Sequence, residues 1–143
     1  MDFIIKDSKV INSDGCVAVL YSPGFGAGFY TWNTTVSKDI VFDPRIVTLV
    51  MEKNKLMPKN KLIPIKDQDL STQERNKRIK KICDQIEEIC DQIEEICFTY
   101  DENFYPGGIY KLDIEWVPEG TAFDISEYDG SESVESSFRT FTA

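Results

Sequence analysis

Isoleucines recur at alternating three- and four-residue intervals through the middle of the chain, at Ile79, Ile82, Ile86, Ile89, Ile93 and Ile96. This spacing places all of them on one face of an α-helix. Ser71 and Glu74 fit a capping box, so the pattern predicts a helix over 71–98. Residues 82–88, ICDQIEE, are repeated letter for letter at 89–95. A seven-residue insertion advances a helix by almost two whole turns, so the apolar face stays in register.

This isoleucine seam, Ile79 to Ile96, has two possible packing partners. Isoleucine at both seam positions of a heptad favours trimers or tetramers over two-stranded coils, which predicts a homo-oligomer. The alternative is that the helix packs on its own sheet. Cys83, Cys90 and Cys97 stand beside the seam and widen it to three positions in seven, which suits packing on a larger surface. The sequence leaves both partners open.

The first 42 residues carry strand and turn signals. Residues 2–11 and 16–22 are predicted strands, and the Asp14-Gly15 pair between them is typical of a hairpin turn. A glycine-rich stretch with several aromatic residues follows at 22–33, and we expect it to form an irregular loop.

The next part of the chain predicts a short helix and a basic connection. Asp43 and Pro44 match an N-cap followed by proline at the first helical position, with an apolar stripe behind them, so a short helix is expected over 43–57. Residues 58–70 are rich in lysine and interrupted by proline, which indicates a linker.

The last third, 105–143, is predicted to be an antiparallel meander. Tyr110, Leu112, Ile114 and Trp116 alternate with polar residues, which indicates a half-buried strand. Phe123 and Ile125 are expected to face inward on the next strand, and the Asp129-Gly130 pair to close a hairpin, with a final strand within 138–142. The whole chain, 1–143, is therefore predicted to be one α+β domain: antiparallel sheet from both ends, one short helix and one long helix.

Composition agrees with a globular protein and argues against several classes. No apolar run approaches the roughly 20 residues that a membrane span needs. The N-terminus has the wrong layout for a secretory signal, so we expect a cytoplasmic protein with no membrane partner. The three helical cysteines spread over about 20 Å of helix, which prevents them from pairing with one another or sharing a metal. Reduced thiols and no metal site are the resulting predictions.

Charge is distributed unevenly around a net value of −9. Residues 51–81 hold ten of the sixteen basic side chains and carry a net charge of +6, whereas 82–143 carry −14. A cationic patch on an acidic body can attract a phosphate-bearing ligand while the rest of the surface repels long nucleic acid. Both regions can equally be solvated faces that keep the protein soluble.

The chain contains no histidine, which excludes the commonest general base and most nucleophilic triads. Acidic residues cluster between Asp113 and Glu132, but Asp113, Glu115 and Asp124 alternate with core positions, as on the solvent face of a sheet. We therefore predict no catalytic residues, no enzyme activity and no cofactor.

The glycine-rich loop offers aromatic groups rather than a phosphate-binding motif. It lacks both the dinucleotide fingerprint and the Gly-Lys-Ser/Thr of a P-loop. Phe25, Phe29, Tyr30 and Trp32 are available either to stack on a base or to fill the core.

Several pieces of the sequence resemble small proteins of tailed bacteriophages: Ser22–Asn33, Phe42–Val47, Pro106–Gly108, Ile114–Thr121 and Tyr128–Ser133. The resemblance implies a phage origin and a host cytoplasm. Small phage proteins of this type include anti-defence factors, among them oligomeric sponges that sequester cyclic nucleotide signals of bacterial immunity. The duplicated heptad departs from such sponges, and ligand residues cannot be carried over one by one.

Three functions follow as hypotheses. The first is a homo-oligomeric anti-defence protein that sequesters a small phosphate-bearing nucleotide, with Phe25 and Trp32 stacking on the base and Arg45 and Arg139 pairing with phosphates. The arginines are chosen because each stands in a segment otherwise poor in cations. The second is an acidic inhibitor whose residues 84–135 occupy a basic, nucleic-acid-binding surface of a host nuclease. The third is a carboxylate-dependent enzyme acting on nucleotides.

Overall fold

The computed structural model describes residues 3–56, 72–135 and 141–143 and has an α+β fold. In this part of the chain seven strands form two antiparallel sheets, accompanied by two α-helices. The strands are β1 Phe3–Lys6, β2 Lys9–Asn12, β3 Cys16–Tyr21, β4 Asp113–Pro118, β5 Ala122–Tyr128, β6 Ser131–Glu135 and β7 Phe141–Thr142. The helices are α1 Pro44–Leu56 and α2 Thr72–Tyr100, with shorter 3₁₀ helices at Lys38–Phe42 and Pro106–Lys111. The predicted linker, Ser71 of the capping box and Arg139 lie outside the described residues.

The first sheet has the order β1-β2-β3-β4 and is centred on β3. Val17, Ala18, Val19 and Leu20 are all fully buried, so β3 packs on both faces. A strand buried in this way needs neighbours on both edges to satisfy its backbone, and β4 pairs antiparallel with it, Val17 opposite Val117 and Leu20 opposite Ile114. Strands from the two ends of the chain thus build one sheet, as predicted.

The predicted strand over 2–11 is wrong in its length, because a turn divides it into β1 and β2. Asp7 and Ser8 both have positive φ, the signature of a type I′ hairpin turn. Asparagine and glycine usually occupy such a turn, so this Asp-Ser pair gave no strong sequence signal. The predicted Asp14-Gly15 turn is confirmed between β2 and β3, where the Asn12 side chain accepts hydrogen bonds from the backbone of Asp14 and Cys16.

The C-terminal meander is also corrected. The segment containing Tyr110 is a 3₁₀ helix rather than a strand, and Tyr110 is exposed. β4 joins the first sheet, whereas β5 lies in a second sheet of order β6-β5-β7. Phe123 and Ile125 are buried as predicted, and Asp129-Gly130 closes the hairpin between β5 and β6 with positive φ at both residues.

Helix α2 is confirmed and packs mainly against α1 and the second 3₁₀ helix. Within the seam Ile86, Ile89 and Ile93 are buried, as are the neighbouring Cys90 and Cys97. Ile82 and Ile96 pack partly against the same core, and Ile79 is half-buried. The chain itself therefore covers the C-terminal half of the seam, while the stretch 72–85 contains no buried residue. A homo-oligomer built on the seam stays a prediction.

No described helix combines the length and the apolar character needed to cross a membrane.

Candidate functional site

The glycine-rich loop is held in place by a buried carboxylate from β6. Glu132 is only 2% exposed, and its side chain accepts hydrogen bonds from the backbone N–H of Ser22 at 2.8 Å and of Thr31 at 2.8 Å. The Thr31 hydroxyl donates a third at 2.7 Å. Burying a carboxylate is costly unless several donors surround it, so this arrangement fixes both ends of the loop at one point.

Close backbone contacts lock the same loop to two other segments. A side chain at Gly108 would lie 2.5 Å from the carbonyl oxygen of Gly28, and one at Gly130 would collide with the backbone nitrogen of Ala27. Gly26 N–H also donates to the carbonyl of Asp129 at 2.9 Å. Glycine is required where backbones approach this closely. The loop, the β5–β6 turn and the second 3₁₀ helix therefore form one rigid end of the molecule.

The four aromatic residues of the loop divide into two pairs. Phe29 and Tyr30 are buried, and Phe29 packs edge-on against Phe104. Phe25 and Trp32 are instead 61% and 41% exposed. Large aromatic side chains that stay exposed on a rigid loop are typical of a binding surface. Phe25 and Trp32 are therefore better explained by binding than by packing in the core.

Trp32 stacks on a residue that sequence reasoning did not identify. The Trp32 and Tyr105 ring centroids are 5.4 Å apart with an interplanar angle of 30°, and Tyr105 is also exposed. Asn33 positions the pair, because its side chain accepts from Tyr105 N–H at 2.7 Å and donates to the Tyr105 carbonyl at 3.0 Å. These residues are 72 positions apart, and no local sequence pattern links them.

A carboxylate stands at the edge of this aromatic pair. Glu127 Oε2 accepts hydrogen bonds from Gly130 N–H at 2.6 Å and from the Trp32 indole N–H at 3.4 Å. The indole N–H points outward in the ring plane, so the carboxylate lies beside the ring rather than over its face. The β5–β6 turn thereby contributes a fixed negative charge to the aromatic surface.

Acidic residues of α2 lie on the helix that packs against the second 3₁₀ helix. Tyr105 precedes this 3₁₀ helix and Tyr110 lies within it. Burial raises the pKa of Tyr110, and the carboxylates of Glu87, Asp91 and Glu94 on α2 raise it further. The acidic–aromatic surface is defined by Trp32, Tyr105, Tyr110 and Glu127.

Positive charge near the loop and the second 3₁₀ helix comes from Lys111 and Lys53. The Lys111 ammonium donates to the carbonyl of Phe25 at 2.7 Å. The Lys53 ammonium donates to the carbonyls of Tyr110 at 3.0 Å and Leu112 at 2.7 Å, and Lys53 is only 3% exposed. Both ammonium groups therefore already serve backbone carbonyls. The electrostatics therefore favour a cationic partner over a phosphate.

The sequence predicted Arg45 as a phosphate ligand, but its guanidinium is engaged by Asp43. Arg45 Nη2 lies 2.8 Å from Asp43 Oδ2, and Nε lies 3.2 Å from Oδ1. Asp43 also caps α1 and accepts from the Tyr100 hydroxyl at 2.5 Å. Burial acts to raise the pKa of Asp43, but hydrogen bonds from Arg45 and Tyr100 outweigh it and hold the pKa below its ordinary value. Asp43 thus ties the start of α1 to the end of α2, and Arg45 is paired with that carboxylate.

We expect Asp43→Ala to lower the free energy of unfolding by about 2 kcal/mol at pH 7, because the helix cap and the acceptor for Tyr100 are both lost. The pKa of Asp43 is lower in the folded state, so its contribution is present above the unfolded pKa and is lost as pH falls through the folded value. The difference from wild type should therefore shrink below pH ~4, as followed by urea unfolding. The exposed Asp39→Ala is the control, and an equal loss there would contradict this role.

Three of the four predicted ligand residues, Phe25, Trp32 and Arg45, lie in the described part of the chain. Phe25 and Trp32 share the loop, but no hydrogen bond, ion pair or ring contact among the described residues joins either of them to Arg45. Arg139 lies outside the described residues. Their joint role in nucleotide binding remains a prediction without geometric support.

A separate cavity of about 330 Å³ opens between α1 and the first sheet. It is lined by Phe3, Met51, Asn54, Lys55, Asp113, Ile114 and Trp116. Asn54 donates to Asp113 at 3.1 Å, which fixes two polar groups beside the aromatic walls. Its volume lies at the lower end of the range for small-molecule pockets. The alternation around Trp116 predicted a half-buried strand but not this cavity.

The cysteines offer no reactive centre in the core. All four are free thiols, and burial raises the pKa of Cys97 to about 12, so this thiol stays protonated and weakly nucleophilic. Within residues 3–56, 72–135 and 141–143, no group of three or more potential metal ligands is close enough to hold an ion.

No family model, curated protein or solved structure matches this chain.

Proposed function

We propose that this protein is a binding protein without catalytic activity, whose acidic–aromatic surface covers a basic surface of a protein partner. The observation that carries the proposal is the exposed Trp32–Tyr105 pair with Glu127 fixed at its edge, on a rigid end of the molecule. Exposed aromatic residues supply contact area, and the surrounding carboxylates supply charge complementary to lysine and arginine. The resemblance to small phage proteins favours a host defence nuclease as the partner, with its nucleic-acid-binding surface blocked.

The rigidity of the surface supports this role energetically. Binding costs free energy for every side chain and loop that becomes ordered, so a loop already fixed by Glu132 loses less on association. The net charge of −9 also steers the protein towards basic partners and away from free nucleic acid.

The test is a set of cleavage assays with purified bacterial defence nucleases that hold nucleic acid in basic channels. We expect equimolar protein to slow at least one of them about 10-fold or more at low salt. The inhibition should weaken near 0.5 M salt, because screening shortens the range of the charges.

Trp32→Ala should weaken the inhibition about 10-fold, since an exposed aromatic anchor is lost. Phe3→Ala is the matched control, because Phe3 is also an exposed aromatic residue but lines the cavity instead. Equal losses in the two variants would contradict the assignment of the surface. Failure to inhibit any nuclease in the panel would count against the function.

Sequestration of a small nucleotide is the second candidate, and the cavity favours it. Phe3 and Trp116 can contact a base, Asn54 and Asp113 can bond to its edge, and Lys55 can pair with a phosphate. Incubation with a panel of cyclic nucleotides followed by heat release separates the possibilities. Recovery of intact ligand, lost in Phe3→Ala and retained in Trp32→Ala, supports sequestration. Recovery of altered ligand supports the carboxylate-dependent enzyme instead.

A further inference from the structure

We propose that Trp32, Tyr105 and Glu127 form a receptor for one arginine side chain of the partner. This inference rests on the proposed function and names the chemical group that the acidic–aromatic surface recognises. Three features of the structure carry it: the exposed aromatic surface, the position of the carboxylate and the fixed geometry of the loops.

Exposed aromatic surface is available to a planar cation. Trp32 is 41% and Tyr105 is 46% exposed, although the two rings stack on each other. Part of the aromatic surface therefore faces water. A guanidinium lying flat on an indole gains both stacking and attraction to the negative ring face.

The carboxylate is placed to accept hydrogen bonds from such a cation. A guanidinium parallel to the indole points its N–H groups sideways, towards the ring edge where Glu127 lies. Glu127 Oε2 already accepts two hydrogen bonds, whereas among the described contacts none reaches its Oε1. This second oxygen can therefore accept from the bound guanidinium, and such charge-assisted hydrogen bonds are stronger than neutral ones.

The same geometry distinguishes arginine from other ligands. A lysine ammonium is compact and strongly hydrated, so it gains less from a flat ring and cannot use stacking and the edge carboxylate together. An anion would be repelled by Glu127, which lies at the edge of the indole. The surface consequently selects a planar cation.

The fixed position of the loop makes the receptor preformed. Trp32 follows Thr31, whose N–H and hydroxyl are held by Glu132, and precedes Asn33, whose side chain is held by Phe29 and Tyr105. A side chain at Gly28 would also lie within 2.9 Å of the Trp32 ring. The indole has little freedom to turn away from an incoming ligand.

Trp32 itself reports binding. The chain has two tryptophans, so a Trp116→Phe background leaves Trp32 as the only one. This protein is titrated at low salt with the blocked peptide Ac-Gly-Arg-Gly-Arg-Gly-NH2 and with its lysine counterpart, following Trp32 fluorescence and the heat of binding. We expect the arginine peptide to bind about fivefold or more tightly than the lysine peptide. Equal affinities would overturn the proposal, and this comparison needs no change at the receptor.

Glu127→Gln then tests the carboxylate. Affinity for the arginine peptide should fall about 10-fold, because a charge-assisted acceptor is lost while an amide oxygen can still accept from Gly130. Glu119→Gln removes the same charge from an exposed glutamate on the turn after β4 and should change affinity less than twofold. Equal losses of affinity in Glu127→Gln and Glu119→Gln would show that only net charge matters, and would falsify the receptor.

The two proposals fail in different ways. If no nuclease is inhibited but the arginine peptide is selected through Glu127, the receptor stands and its assignment to a nuclease partner is wrong. If a nuclease is inhibited while Glu127→Gln and wild type inhibit equally, the docking function stands and the receptor is wrong.

Discussion

Glu132→Ala is expected to lower the free energy of unfolding by about 4 kcal/mol, because a buried carboxylate that satisfies three donors is removed. The backbone N–H of the fully buried Ser22 and that of the partly buried Thr31 would both lose their acceptor. Each buried donor left without a partner costs about 1–3 kcal/mol. Urea unfolding at pH 7 measures the loss.

Glu132→Gln should lower the free energy of unfolding by about half as much as Glu132→Ala. Glutamine keeps the volume and one acceptor oxygen, but its amide NH2 would face N–H or O–H donors that need an acceptor. The exposed Glu119→Gln is the control and should stay within about 0.5 kcal/mol of wild type. In the Trp116→Phe background, the Trp32 emission should shift to the red in Glu132→Ala, because the loop loses its anchor. If Glu132→Ala unfolds within about 0.5 kcal/mol of wild type, the loop is held by other contacts.

Elements that depend on local pattern were predictable from sequence. The isoleucine spacing gave α2, Asp43 and Pro44 gave the start of α1, and two aspartate-glycine pairs gave hairpin turns. Each of these signals lies within a few residues of the structure that it determines. The Asp7-Ser8 turn was missed because its left-handed conformation is held by strand pairing rather than favoured by its residue types.

The candidate site depends on contacts that sequence cannot register. The loop contributed Trp32, but Tyr105, Glu127 and Glu132 contact the loop from positions 72 to 110 residues away in the chain. In the sequence, Glu132 is one polar residue of a predicted hairpin. Its role follows only from the fold, in which β6 lies against Ser22. Arg45 shows the opposite case. The sequence predicted a phosphate as its partner, but its partner is Asp43, only two residues away.

Ile93→Ala should lower the free energy of unfolding by about 3–4 kcal/mol, since it empties a fully buried site in the core. Ile93 is 0% exposed in the single chain and lies where α2 packs towards α1 and the second 3₁₀ helix. Its burial is complete without any sister chain. The loss should therefore be the same at all protein concentrations, as measured by urea unfolding over a 100-fold range.

Ile79→Ala is the matched control within the same seam, because Ile79 is half-buried on a stretch of α2 without buried residues. In a single chain this change should cost less than about 1 kcal/mol, since the lost side chain was already partly in water. An oligomer held by the N-terminal half of the seam predicts a different pair of results: a larger loss at Ile79 and an unfolding midpoint that rises with protein concentration. Light scattering on wild type and Ile79→Ala then decides whether the seam has one function, in the core of each chain, or a second one between chains.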